Sequence, residues 1–338
     1  ALQWFKPNSD VLAYNELDRD LTTNLELKKY LDTLSEDNFS HIDQSKLTGD
    51  TWVLTNDIIN HLLDILDKQP RRVGNVFGKI FQGLATSKDD VYFLQDCNEN
   101  NSIVTGYSTQ LKRIVKIEKG LARPLLKGED VHRYDVITTN RVVIFPYKIV
   151  EGKAVLYGEN ELKKLYPNGY SYLKECETIL RNREKGHFNI DGAWFQFGRK
   201  QGISSAEEIK LVAPDISMGG NFALDIKGQF YQTTTIYGYI KYDNVKCSYK
   251  SLLALLNSHL CWWFMQNTGN VMANGYFRYK PAYINPFPLP SDEAIIAAEP
   301  IIEPLVDSLT YLYNKDNCDI YAHTSNKNLR LHFNDILD

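Results

Sequence analysis

Hydrophobic positions in this chain change period twice. At 15–35 (NELDRDLTTNLELKKYLDTLS) and 55–68 (TNDIINHLLDILDK) they recur at helical spacing. The second run puts Ile58, Ile59, Leu62, Leu63, Ile65 and Leu66 on one broad face, with Thr55 or Asn56 as cap. Gln69-Pro70-Arg71-Arg72 ends it and marks a boundary. From 73 to about 245 the period shortens to that of strands, rich in β-branched and aromatic residues at 91–94, 113–117 and 142–145. Residues 148–150 and 154–157, joined through Glu151-Gly152-Lys153, predict a hairpin. A helix over 168–185 opens after Pro167, and further strands are expected near 209–213, 222–226 and 229–240.

At 250–266 the chain turns apolar on all sides, with Asn257, Ser258 and His259 as a polar break. This segment is about as long as a membrane span, but the break and the polar flanks assign it to a protein core. Beyond Pro290 an amphipathic stripe runs from Ile295 to Leu312, and Pro300 and Pro304 are expected to divide it or to open its second helix. The predicted class is α+β: a β-rich middle with helical N- and C-terminal segments, divided at 1–70, 71–290 and 291–338.

The formal charge of −4 hides an uneven distribution. Residues 1–70 hold 6 Lys/Arg against 13 Asp/Glu, residues 71–290 hold 29 against 20, and residues 291–338 hold 3 against 9. A basic middle between acidic ends suits a polyanion-binding module flanked by interaction segments. The alternative is a protein-interaction scaffold whose basic centre is incidental. Five cysteines, odd in number and never spaced as CxxC, exclude a disulfide framework and a zinc site and point to a reducing, cytoplasmic setting. The seven histidines form no ligand pair, so no metal is expected. The opening LQWFKPNSDVLAY has no targeting character and reads like the middle of a longer protein.

Several segments carry candidate chemistry. Residues 80–90 (IFQGLATSKDD) have the composition of a phosphate loop but not the GxxxxGK[ST] spacing. After an Asp-Gly turn, Trp194, Phe195, Gln196, Arg199, Lys200 and Gln201 cluster; Arg199 suits guanine and Gln201 adenine by paired hydrogen bonds in the major groove. Asn274, Tyr276, Arg278 and Lys280 crowd onto a segment where Gly269 and Gly275 allow tight bends, a mixture of amide, phenol and cations suited to a polyanion with readable edges. Pro214-Asp215 followed by Asp225-Ile226-Lys227 has the outline of a PD-(D/E)xK nuclease site, with two carboxylates for a metal and a lysine for the attacking water. The motif is short, and Gly228 after Lys227 equally suits a hairpin turn. Asn285-Pro286-Phe287-Pro288 approaches the Asn-Pro-Pro-aromatic motif that holds a flipped adenine, but its aromatic stands third rather than fourth.

The order of RPLLKGEDVHRY (123–134), FPYK (145–148), ELKKLYPNGYSYLKECETILRNRE (161–184) and LLNS…NGYFRY…NPFPLP (255–290) resembles the TaqI-like C-terminal specificity domain. This is the DNA-reading part of adenine-specific methyltransferases, including single-chain type IIG restriction-modification enzymes. The resemblance covers about 75–290. It implies double-stranded DNA as partner, together with a methyltransferase core in the same parent chain and no membrane. It makes 1–70 a connector to that core, and 80–90 similar to a G-x-x-T segment in which Thr86 and Lys88 face a DNA phosphate. Lys127, Arg133 and Lys148 become further phosphate contacts. No catalytic residue and no cofactor are expected here; S-adenosylmethionine, and magnesium where the parent also cuts DNA, belong to the parent.

Overall fold

The computed structural model describes residues 2–5, 39–42, 57–199, 202–314 and 320–338. The chain divides into two compact units, Ala1–Gln69 and Pro70–Asp338. In the first, strands Leu2–Phe5 and Phe39–Ile42 pair antiparallel, and helix Asp57–Asp67 forms where the apolar spacing predicts it. The helix expected at 15–35 lies outside the described residues.

Two large sheets form the framework of the second unit, with three two-stranded sheets beside them. The larger runs in the order Tyr231–Gln232, Ala122–Leu126, Val142–Ile144, Phe93–Asn100, Ile103–Ser108, Arg113–Glu118, antiparallel except for its first, parallel pair. The smaller, all antiparallel, runs Ala223–Asp225, Lys210–Pro214, Ile236–Lys241, Phe77–Gln82. The backbone leaves the larger sheet at Gln232 and enters the smaller at Ile236, so Thr233, Thr234 and Thr235 form the crossing between them. Gly83 lies against this crossing: a Cβ there would stand 2.0 Å from the Gln232 carbonyl oxygen. Close backbone approach, rather than phosphate binding, accounts for that glycine.

The predicted hairpin is strands Tyr147–Val150 and Lys153–Leu156, turned by Glu151 (φ 49°) and Gly152 (φ 71°). Positive φ at both turn residues matches the right-handed twist of the strands. Residues 91–94 depart from expectation: Asp89–Tyr92 makes one helical turn, and the strand begins at Phe93. The helix expected over 168–185 opens at Pro167 but breaks into Pro167–Glu175, Glu177–Arg181 and Arg183–Gly186, the last containing left-handed Glu184 and Lys185. The principal core joins both sides of the larger sheet through Leu94, Ile117, Phe145, Tyr147, Leu173, Trp194 and Phe197, all essentially inaccessible.

The apolar segment after 248 is two helices, Tyr249–Asn257 and His259–Thr268, broken at the predicted polar position. Ser258 ends the first with an extended backbone, and its Oγ accepts the Cys261 amide (3.1 Å) to cap the second. Buried Asn257 is matched on both edges, accepting from Phe222 N (2.9 Å) and donating to Phe222 O (3.0 Å). Helix Asp292–Tyr313 packs on Tyr249–Asn257 and is continuous through Pro300 and Pro304, against the expected division. Both prolines are exposed, on the face opposite buried Ile295, Val306 and Leu309, where a carbonyl that loses its donor is open to solvent rather than stranded in the core. The second unit thus includes the C-terminal helices. The class is α+β, and no helix of the described residues is long and apolar enough to cross a membrane.

Candidate nucleic-acid interface

The threonine crossing forms the floor of a surface groove. Two clefts of about 700 Å³ and 420 Å³ share Gly128, Glu129, Thr234 and Thr235. The larger opens between the crossing and Pro214 to Met218, Asn221, Tyr276 and Arg278; the smaller extends past Lys127 to Asp89, Gln95 and Thr109. Hydrogen bonds fix the floor: Thr233 and Thr235 hydroxyls meet at 2.7 Å, Gly128 N donates to Thr235 Oγ1 (3.0 Å), and Gln82 Nε2 donates to Thr234 O (2.7 Å). Exposed hydroxyls at 234 and 235 beside Gln82 form a polar floor that the sequence reading missed. The run of three threonines was its only signal.

One wall of the larger cleft is a short sheet of Ile216–Ser217 against Phe277–Arg278. Arg278 lies here with Nε and Nη2 on the Asp215 carboxylate at 3.2 and 2.9 Å. The carboxylate raises the guanidinium's pKa above its ordinary range. Tyr276 is exposed on the same rim, and Asn274 is exposed in the left-handed conformation (φ 61°) at its outer turn. Lys280 turns away from the rim, its Nζ 4.7 Å from the Tyr283 ring centroid.

The remaining expected contacts separate into surface and interior. Lys127 lines the smaller cleft, and its backbone N–H donates to Asp130 (2.7 Å). Lys88 is half-exposed beside Asp90 at 3.2 Å. Thr86 is fully buried, and its hydroxyl is held locally, donating to Asp89 Oδ1 (2.5 Å) and accepting from Lys88 N (3.0 Å). The exposed positions of that turn are therefore Ser87 and Lys88. Arg133 ties helices together, donating from Nη2 to Asn257 O (2.6 Å) and Asn334 Oδ1 (3.0 Å). Lys148 is half-exposed and paired with Glu161 (2.9 Å). Arg199 is exposed, its amide on Ala85 O (3.0 Å); Gln201 lies outside the described residues. The segment between Gln82 and Lys88 unites these groups, since Leu84 bridges to Thr233 and Ala85 to Arg199.

The nuclease-like residues do not converge. Asp225 is opposite Lys210 at the start of strand Lys210–Pro214, whereas Asp215 follows its end, roughly 16 Å away at strand rise. Asp225 is buried and saturated, accepting from Lys210 Nζ (2.7 Å), Gln229 N (3.1 Å) and Phe230 N (3.0 Å). Lys227 points outward from a turn that ends on Gly228 (φ 59°). The Asn285-Pro286-Phe287-Pro288 segment closes the domain on its own beginning: Asn285 O and Phe287 O accept from Gly74 N (3.1 Å) and Val73 N (3.0 Å). Pro288–Leu289 then pairs with Arg71–Arg72.

Comparison with known proteins follows the same outline. Over 280 residues the chain is 26% identical to the "Type II restriction enzyme and methyltransferase RM.Eco57I" of Escherichia coli, covering 77% of this chain and 28% of that protein. The solved structure of the type IIL restriction-modification enzyme MmeI in complex with DNA superposes with a TM-score of 0.50 at 14% identity, over 80% of this chain and 33% of the other. The chain therefore spans about a third or less of the length of these relatives. Residues 123–289 match the family described as the TaqI-like C-terminal specificity domain, a span that contains the crossing, the Arg278 rim and strand Val142–Ile144 of the larger sheet, whose strands Phe93–Asn100, Ile103–Ser108 and Arg113–Glu118 precede it. This chain carries, over those residues, a TaqI-like C-terminal specificity domain.

Proposed function

We propose that this chain is the sequence-specific double-stranded DNA recognition part of a restriction-modification enzyme, and that the groove around the 233–235 crossing receives the duplex. The observation that carries this reading is the specificity-domain match over 123–289, which takes in the threonine floor and, apart from Gln82, the lining of the larger cleft. The groove's chemistry agrees with it. Hydroxyl, amide and phenol groups from Thr234, Thr235, Asn221 and Tyr276 suit base edges, which are read by donors and acceptors in the major groove. Lys127 and Lys88 flank the floor as point charges for phosphates, and Arg199 and Arg278 supply planar donors.

In the parent, a methyltransferase core supplied with S-adenosylmethionine would modify adenine at the site chosen here, with 1–70 as the connector. S-adenosylmethionine brings the methyl group; this chain's part is to hold the duplex in register while the target base leaves the stack. Acidic groups along the groove restrain non-specific attraction: Asp89, Asp90, Glu129 and Asp215 all line it, and Arg141 offsets Glu129 and Asp130.

A gel-shift titration of the chain on duplex DNA, over a series of salt concentrations, tests the reading. Each phosphate neutralised contributes a slope of roughly −0.9 in log K against log salt. A slope corresponding to a handful of phosphates is expected, and a slope near zero would remove the groove as a phosphate surface.

A further inference from the structure

Arg183 is 5% exposed and has no ion pair among the described residues. A guanidinium taken out of water needs its hydrogen bonds replaced, and here four main-chain carbonyls do so. Nε donates to Leu180 O (2.9 Å), Nη1 to Thr86 O (2.6 Å), and Nη2 to Trp194 O (2.9 Å) and Gln196 O (2.8 Å). The Phe188 ring lies 4.3 Å from the guanidinium carbon. The chain brings the side chain inward by breaking the helix here, with Glu184 and Lys185 left-handed immediately after it. Glu184 then accepts from Ser87 Oγ (2.6 Å).

The loop that Arg183 grips is held at every residue. Beyond the Trp194 and Gln196 carbonyls, Phe195 O accepts from Tyr92 OH (2.7 Å) and Phe197 N donates to Tyr147 OH (2.6 Å). Gly198 N and Arg199 N donate to Thr86 O (3.2 Å) and Ala85 O (3.0 Å). Trp194, Phe195 and Phe197 are buried, and Arg199 is the exposed end. Arg183 and Gly198 share the Thr86 carbonyl, so one buried cation joins the groove-side turn at 86–88 to the loop that presents Arg199.

We propose that Arg183 is a positioning residue: it fixes the 194–199 loop so that Arg199 meets duplex DNA with its orientation already set. Such preorganisation lowers the ordering cost of binding. The inference rests on the DNA-recognition reading above and deepens it.

The test uses the full 338-residue chain and a duplex selected from a pool with a randomised core. R199A is expected to weaken binding of the selected duplex by about 5- to 150-fold, the range of one base contact. R183K should weaken it comparably, and the double variant should be no weaker than the worse single one, because both remove the same interaction. R183K combined with K127A should instead multiply. Amide hydrogen exchange at Gly198 and Arg199 should accelerate in R183K while strand Arg113–Glu118 keeps its protection. If R183K does not fold, Y147F loosens the same loop at Phe197 and should show the same non-additivity with R199A. Multiplying effects of R183K (or Y147F) and R199A, or an R199A variant with undiminished affinity, would overturn the proposal. A wild-type chain that binds no duplex would instead remove the recognition reading beneath it.

Discussion

Asp215 and Arg278, 63 positions apart, face each other through a two-pronged ion pair across the wall of the groove, with the carboxylate nearly buried and the guanidinium partly exposed. Two adjacent extended segments bring them together: Tyr279 N donates to Asp215 O (2.7 Å), and Asp215 N to Thr235 O (2.8 Å). Arg278 is thereby held in one plane above the threonine floor. Replacing it by lysine keeps the charge but loses the planar fork. R278K is expected to relax preference at one base pair, at about 1–3 kcal/mol on the selected duplex. A competition assay against the randomised pool checks this; uniform weakening on all sequences would make Arg278 a backbone clamp.

Thr86 and Lys88 should separate cleanly. T86V removes both hydrogen bonds made by the buried Thr86 hydroxyl, at about 0.5–1.5 kcal/mol each, so it should cost about 1–3 kcal/mol of folding stability, measured by urea unfolding. K88A should leave stability within about 0.5 kcal/mol. Its effect belongs to DNA: equal weakening of cognate and non-cognate duplexes and a salt slope shallower by about one. The reverse pattern would return the phosphate role to Thr86.

The Lys210–Asp225 pair is predicted to be structural. K210M strands a buried carboxylate and should destabilise the fold by about 3–5 kcal/mol, whereas K227A on the outward turn should change stability by less than about 0.5 kcal/mol. Burial holds the Lys210 ammonium below its ordinary pKa despite Asp225. A lysine whose folded pKa is lowered binds fewer protons folded than unfolded. Its contribution to stability therefore rises with pH between that lowered value and about 10.4, its value in the unfolded chain. Denaturant titrations of wild type and K210M over alkaline pH should differ in that direction, and a parallel pair of curves would contradict it.

Burial also sets the thiols. Cys97 and Cys176 are pushed up to about 11 and Cys247 to about 12. Thiolate is the reactive form, so alkylation of these three in the folded protein should be slow at pH 8 and accelerate as pH approaches those values. Peptide mapping after timed iodoacetamide treatment measures it; rapid labelling at pH 8 would show that the core around them opens.

Local chemistry made much of this architecture legible. Glu151-Gly152 could only turn a tight hairpin, and Asn257-Ser258 could only interrupt an apolar helix, because each is a strong short-range signal. The prolines at 300 and 304 misled for the opposite reason: their effect depends on which face of the helix meets water, and only packing decides that. The groove was partly legible. Tyr276 and Arg278 were visible as a polar cluster, but the threonine floor exists because a parallel strand pair and an antiparallel sheet meet at one crossing. Arg133 and Arg183 show the limit from the other side. A cation in a basic segment reads as a DNA contact, or as the end of a helix, until carbonyls from distant segments are found around it.

The central claim is sequence-specific duplex recognition. Its most direct test is repeated selection of the full chain on a duplex pool with a randomised core, with and without magnesium, followed by sequencing of the bound DNA. One enriched motif, recovered as intact DNA in both conditions and weakened by R278K and R199A, is the predicted result. Binding without any enriched motif, or magnesium-dependent cleavage that is lost in D215A and K227A, would contradict it.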